Sequence, residues 1–196
     1  MKNYDRLLER IYEGDIFTKT YKEEREWAKS REALYGEVTR EGIDSIISKL
    51  KSNNLFKEIK FIDVGCGNGR AVLHLGLCDE VIKSEGVDLF KSKIDFCNNL
   101  IEETSYPLKD KINVFYGDAL LLDNLNEFNL FLFNNVAWMD ETNRLLLNKI
   151  KKNSIIVTTF SIKNESEKGI ELLEKFSAKY TWNKGPAGPC FLYKKI

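Results

Sequence analysis

At 196 residues the chain has the length of one domain, with little room for a second. Hydrophobic side chains make up 43% of it and charged ones 31%, which suits one core beneath a well-solvated surface. Lysines plus arginines number 30 and acids number 30, so overall charge selects neither nucleic acid nor an anionic membrane as partner. Four cysteines, at positions 66, 78, 97 and 190, lie far apart with no C-x-x-C pair, and His74 is the single histidine. That spacing excludes a metal framework and a secreted disulfide scaffold. No apolar run approaches the ~18 residues of a membrane span, and Met1-Lys2-Asn3-Tyr4-Asp5 lacks the apolar region of a secretion signal. The expectation is an intracellular, reduced protein with no metal and no membrane contact.

Residues 4–13 and 20–32 are charged with scattered apolar positions and read as short surface helices. They make a helical N-terminal arm, 1–33, ahead of a main domain at 34–196. Ala33-Leu34-Tyr35-Gly36-Glu37-Val38 breaks the pattern at a glycine. Thr39 can then cap a helix in which Ile43, Ile46, Ile47 and Leu50 recur at i, i+3, i+4 and i+7, and Asn53-Asn54 ends it.

Phe61-Ile62-Asp63-Val64-Gly65-Cys66-Gly67-Asn68-Gly69-Arg70 follows. An apolar run ending in an acid reads as a buried parallel strand. The glycines after it allow φ > 0 and close approach of the backbone to a ligand. The helix that follows would turn its unpaired N–H groups toward that ligand. A dinucleotide-binding turn would read G-x-G-x-x-G. The spacing G-x-G-x-G, with an acid two residues ahead, is instead a usual mark of S-adenosylmethionine (SAM) enzymes of the Rossmann-like class. A glycine turn of some other α/β protein is the alternative. Asp63, Gly65, Cys66, Gly67, Asn68, Gly69 and Arg70 are candidate cofactor contacts.

Ala71–Leu77 reads as a helix under the turn, with His74 as a satisfied helix-face histidine rather than a catalytic one. A second strand ends Glu85-Gly86-Val87-Asp88, where the terminal acid can accept both ribose hydroxyls. A helix over 90–103 and a strand at Ile112–Tyr116 lead to Gly117-Asp118-Ala119, which suits an adenine amine and ring. A fourth strand, 128–133, enters Asn134-Asn135-Val136-Ala137-Trp138, at a carboxyl end where open sheets bind ligands. A purely structural turn is the alternative there.

Thr142 can cap a helix through Lys151, and 154–160 is a fifth strand. A helix over 166–177 and strands at 179–183 and 190–194 complete the set. Alternating strands and helices from residue 59 give a doubly wound, mostly parallel seven-stranded sheet with an antiparallel C-terminal hairpin. After Glu174 come five lysines, 175, 179, 184, 194 and 195, and no acid. They are either a solvated tail or a patch facing an anion.

Together these motifs resemble the disruptor-of-telomeric-silencing (Dot-one-like) family of non-SET histone lysine methyltransferases over residues 30–195. Tyr35-Gly36-Glu37 is similar to that family's first cofactor loop, and the glycine motif, Gly86-Val87-Asp88 and Gly117-Asp118-Ala119 are similar to its cofactor positions. Asn134-Asn135-Val136-Ala137-Trp138 is similar to its asparagine-pair motif, and Thr181-Trp182-Asn183 to its C-terminal pattern. The resemblance implies a class I SAM-dependent fold and transfer of methyl groups to a lysine in the folded core of a nucleosomal histone. It adds Tyr35, Gly36, Glu37, Val38, Asp88, Asp118, Ala119 and Asn134 as cofactor contacts. Asn134 would orient the methionine end or the amine, and Trp138 would wall the acceptor channel. The C-terminal lysines would make weak contacts with DNA phosphates. A nuclear location goes with that acceptor. A small molecule or non-histone protein as acceptor, in the cytoplasm, is the alternative, as is SAM binding without catalysis.

Overall fold

The computed structural model describes residues 9, 11–12, 36–103, 110–182 and 185–196. Seven strands form one sheet: β1 (Ile59–Val64), β2 (Val81–Asp88), β3 (Ile112–Tyr116), β4 (Leu130–Phe133), β5 (Ile155–Thr158), β6 (Ile170–Ala178) and β7 (Gly188–Lys195). Their order is β3-β2-β1-β4-β5-β7-β6. β1 to β5 pair in parallel, and β7 runs antiparallel to both β5 and β6. The sheet is flanked by α1 (Arg40–Ser52), α2 (Arg70–Gly76), α3 (Lys91–Glu103) and α4 (Asp140–Lys149), with short 3-10 turns at Ala119–Leu121, Leu125–Glu127 and Asn135–Ala137.

Alternation along each central strand explains why the sheet is buried on both faces. Phe61, Leu130, Leu132, Ile155, Val157 and Leu192 point to one core, where α1, α2 and α3 supply Ile43, Leu50, Val72, Leu73, Ile94 and Cys97. Ile62, Val64, Phe131, Phe133, Ile156 and Tyr193 point to the other, against Leu146 and Leu147 of α4. The runs Phe-Ile, Leu-Phe-Leu-Phe and Ile-Ile-Val thus carry no polar position, because neither face meets water.

Local signals behave as physics requires at several joints. Thr39 Oγ1 accepts from Gly42 N at 3.2 Å and starts α1. His74 lies within α2 and is buried; burial pushes its pKa down to about 4. Its Nδ1 meets the Tyr12 hydroxyl at 3.0 Å and its Nε2 lies 3.3 Å from Asp44.

Three boundaries differ from expectation. The helix expected at 166–177 is replaced by a turn and the edge strand β6. Ile170, Leu172, Leu173 and Phe176 fit a helical stripe, but β7 needs a partner on its outer side, and pairing outweighs local periodicity. A bulge between Leu172 and Glu174 absorbs the mismatch and lets Glu174 reach Lys49 of α1 and its C-cap Asn53. The closing hairpin is therefore β6–β7 rather than 179–183 with 190–194. Helix α4 begins at Asp140 after Met139, not at a Thr142 cap, with Asp140 and Glu141 in its first turn.

Residues 9, 11 and 12 are helical, and Ile11 is buried in the first core. The rest of the expected arm, including the helix at 20–32, lies outside the described residues. The C-terminal lysines do not form one patch. Lys194 and Lys195 pair with the first residues of β5 and β6, whereas Lys175 lies toward the opposite end of β6, and Lys179 follows that strand. Lys184 is outside the described residues.

Candidate functional site

The sheet order reverses between β1 and β4, which opens a crevice at the carboxyl ends of these strands. The glycine turn lies in it. Gly65, Gly67 and Gly69 have φ of +78°, +56° and +74°, so the turn uses the left-handed region three times in five residues. A Cβ on Gly69 would overlap the Cys97 sulfur from α3. Gly65 N and Cys66 N donate to Val87 O at 2.9 and 3.0 Å, tying the turn to the end of β2. Asp88, 8% exposed, secures it: Oδ2 accepts from Gly67 N at 2.8 Å and Oδ1 from Phe90 N at 2.9 Å. Each carboxylate oxygen keeps a second lone pair for a ligand hydroxyl. Burial pushes the Cys66 thiol well up, so Cys66 packs rather than reacts.

The loop before α1 closes over this turn. Val38 forms an isolated bridge with Tyr180, Glu37 N donates to Thr181 Oγ1 at 3.0 Å, and Thr181 N returns a bond to Glu37 O at 3.0 Å. Trp182 stacks on Tyr180 with centroids 4.5 Å apart, and a Cβ on Gly36 would overlap its indole. Glu37 is thereby aimed inward. Its Oε2 lies 3.0 Å from Arg70 Nη1, with both side chains buried, and its Oε1 accepts from Asn68 N at 3.4 Å. Sequence reasoning named Glu37, Asn68 and Arg70 separately; the fold makes them one cluster.

The asparagine pair divides its work. Asn134 Nδ2 donates to Gly36 O at 2.6 Å across a separation of 98 residues, and its Oδ1 accepts from Thr159 Oγ1 at 3.0 Å. Asn135 is buried and turns away, binding the Phe160 backbone at N (2.9 Å) and O (3.1 Å). Thr159, Thr181 and Asn135 were not named as site residues. The signal for Thr159 was its place just after a β-branched strand, at the sheet edge where ligands bind. Tyr35 lies outside the described residues. Asp118 Oδ1 accepts from Leu120 N at 2.9 Å, Gly117 N donates to Asp88 O at 3.0 Å, and Ala119 is buried beside them. The third loop is thus joined to the same crevice.

No protein-family model matches the chain, and no curated protein sequence matches it. Solved structures do. One is magnesium protoporphyrin IX methyltransferase from Synechocystis PCC 6803 with bound SAM, 12% identical, covering 98% of this chain and 91% of that one with a TM-score of 0.62. A second is a candidate RNA methyltransferase from Pyrococcus horikoshii, 15% identical, 100% of both chains covered, TM-score 0.64. A third is the RNA methyltransferase from Salinibacter ruber in complex with S-adenosyl-L-homocysteine, 13% identical, covering 76% of this chain and 90% of that one, TM-score 0.55. The fold is that of the class I methyltransferases. At 12%, 15% and 13% identity, the likeness is one of fold.

Within this methyltransferase fold the crevice carries an excess of acid. Asp63, at the end of β1, is 5% exposed, and burial first, then the Asp88 and Glu37 carboxylates, push its pKa well up. Arg70 pairs with Glu37 through Nη1, and a cationic ligand beside the Asp63 and Asp88 carboxylates would favour their charged forms. Across the turn, Trp138 tilts against Phe133 at 5.1 Å and is partly buried. A Cβ on Gly65 would touch this indole at 3.9 Å, so the ring stands one methyl group from the turn.

Asp63→Asn tests the acid excess. A carboxyl with a raised folded pKa stabilises the fold when protonated, and that stability is lost as pH rises through the raised value. The variant should therefore melt higher than the wild type at pH 7. The gap should close as pH falls toward the ordinary carboxylate range. Thermal melts showing a gap independent of pH would discard the assignment.

Proposed function

We propose that the chain is a SAM-dependent methyltransferase whose acceptor is a lysine amine on a histone. The observation that carries the first part is the meeting of four distant segments at one crevice. The Gly36-Glu37 loop, the glycine turn, Asp88 and Asn134 are joined there by hydrogen bonds and one buried ion pair. The residues fit this cofactor: the buried carboxylates of Asp63, Asp88 and Glu37 suit its cationic groups, Asp88 suits the ribose, and Asp118 with Ala119 suits the adenine. Bound SAM supplies an electrophilic methyl group. The chain's own part is then positioning, with effective molarity as the large term. Asn134, held from both sides by Gly36 O and Thr159, is preorganised to orient the methionine end or the amine.

A lysine must lose its proton before it accepts a methyl, and its ordinary pKa is about 10.4. Trp138 as an apolar wall disfavours the charged amine and lowers that value. The histone acceptor is supported by the resemblance of the cofactor loop and the asparagine pair to the disruptor-of-telomeric-silencing family. In this reading Lys175 and Lys179, near the crevice edge of β6, make the nucleosomal phosphate contacts.

The test is a radiolabelled SAM assay on nucleosomes, free histones, total RNA and a metabolite extract including porphyrins. Label on a histone lysine supports the proposal; label on RNA or a metabolite alone moves the acceptor reading to those classes. Trp138→Ala should leave SAM affinity nearly unchanged and lower the melting temperature only by what its partial packing on Phe133 contributes, while turnover per folded molecule falls about 10²-fold, the cost of losing a positioned wall. A Trp138 variant that melts far lower with turnover per folded molecule intact would make the residue a core one.

A further inference from the structure

The loops that follow β4 and β5 carry two large apolar side chains that the fold leaves in water. Phe160 is 49% exposed and Met139, next to Trp138 in the chain, is 64% exposed, both in loops at the carboxyl edge. Their main chains are held by one buried polar clamp. Asn135 grips Phe160 at N and O, Thr158 Oγ1 adds a 2.7 Å bond to Phe160 O, and Asn135 Nδ2 meets Asn143 Oδ1 at 3.4 Å. Asn143 Nδ2 in turn donates to Met139 O at 3.3 Å. A second tie comes from Lys168, 5% exposed, whose ammonium lies 2.9 Å from Asp140 and donates to Lys163 O. Two loops are thus fixed to each other while the side chains at their tips have no core to fill.

Rigid mounting changes what exposure means. A lone exposed phenylalanine is ordinary surface. An apolar pair on a preorganised support, at the mouth of a reaction crevice, binds without the ordering cost that a mobile loop would bear. Most charges flanking the pair are already answered, with Lys163 left exposed beside them. Asp140 faces Lys168, and Glu141 takes both an Arg144 Nε bond at 2.8 Å and an Nη2 bond. The rim therefore offers apolar contact with, among the described residues, one spare cation, Lys163, short of the several phosphate contacts that bind a nucleic-acid backbone, which favours a protein segment.

We propose that Phe160, with Met139, forms the acceptor-docking rim and selects a lysine whose sequence neighbours are apolar. This rests on the lysine methyltransferase reading above and names the specificity of the same site. Phe160 is the specificity-determining residue; Asn135 and Lys168 position it.

The experiment compares peptides with one lysine flanked on both sides by leucine and phenylalanine, or by serine and glycine. Full-length wild type is run with each, alongside free histones. The wild type should methylate the apolar-flanked lysine with a kcat/KM about tenfold higher, the size of one good apolar contact. Phe160→Ser should erase that preference through KM, with SAM affinity and melting temperature unmoved, and Phe160→Leu should restore it. A Phe160→Ser protein that keeps the preference overturns this inference and leaves the lysine reading standing. A wild type that labels no lysine in peptides or histones, but labels RNA or a metabolite, overturns both.

Discussion

Asp88→Ala is expected to weaken SAM binding by about 1–3 kcal/mol, or roughly 5–150-fold, the loss of hydrogen bonds made to a charged group. In the proposed complex the carboxylate has two tasks. It would accept from the ribose hydroxyls, and it already holds Gly67 N at 2.8 Å and Phe90 N at 2.9 Å. Alanine leaves both N–H groups without this acceptor, so the turn loosens as the ligand loses its partner. Asp88→Asn separates the tasks, because its amide oxygen can still accept one backbone bond while its nitrogen cannot. Calorimetric titration should rank the wild type above asparagine and asparagine above alanine. Equal affinities across the three would remove Asp88 from the cofactor site.

Gly69→Ala should destabilise the fold by about 2–5 kcal/mol, from ~1–2 kcal/mol of left-handed backbone strain and ~1–3 of overpacking. The strain follows from φ of +74° at the entry to α2, and the overpacking from the Cys97 sulfur, which occupies the place a Cβ would take. The melting temperature should fall by about 4–20 °C, at ~2–4 °C per kcal/mol for this length. Cys97→Ala in the same chain should recover part of the loss, because it removes the sulfur but not the strain. Additive melting shifts for the two substitutions would mean that residue 69 and Cys97 do not meet.

That Gly65, Gly67 and Gly69 form a turn between a buried strand and a helix follows from residues adjacent in the chain. The same holds for Thr39 as a cap, since its acceptor and donor are three residues apart, and for Asp88 at a strand end. Each depends on local conformational preference or on alternation along one strand, so neighbouring residues carry the whole signal. Burial of the central strands on both faces was readable for the same reason.

The edge strand was not. Ile170–Ala178 satisfies a helical stripe as well as a bulged strand, and only the outer edge of β7 decides between them. Nor could the sequence reveal that Asn134 reaches Gly36, that Glu37 is aimed at Arg70 by Thr181, or that Asn135 serves Phe160 instead of the crevice. These are pairings across 98, 33, 144 and 25 residues, taking the differences in residue number. A hydrogen bond between such segments exists only once sheet order has brought the carboxyl ends of the strands together. By itself, then, the sequence determined the alternation of elements, the glycine turn and the acids at strand ends. Tertiary structure alone decided which of those residues share a site, because that depends on the order of strands in the sheet and not on their order in the chain.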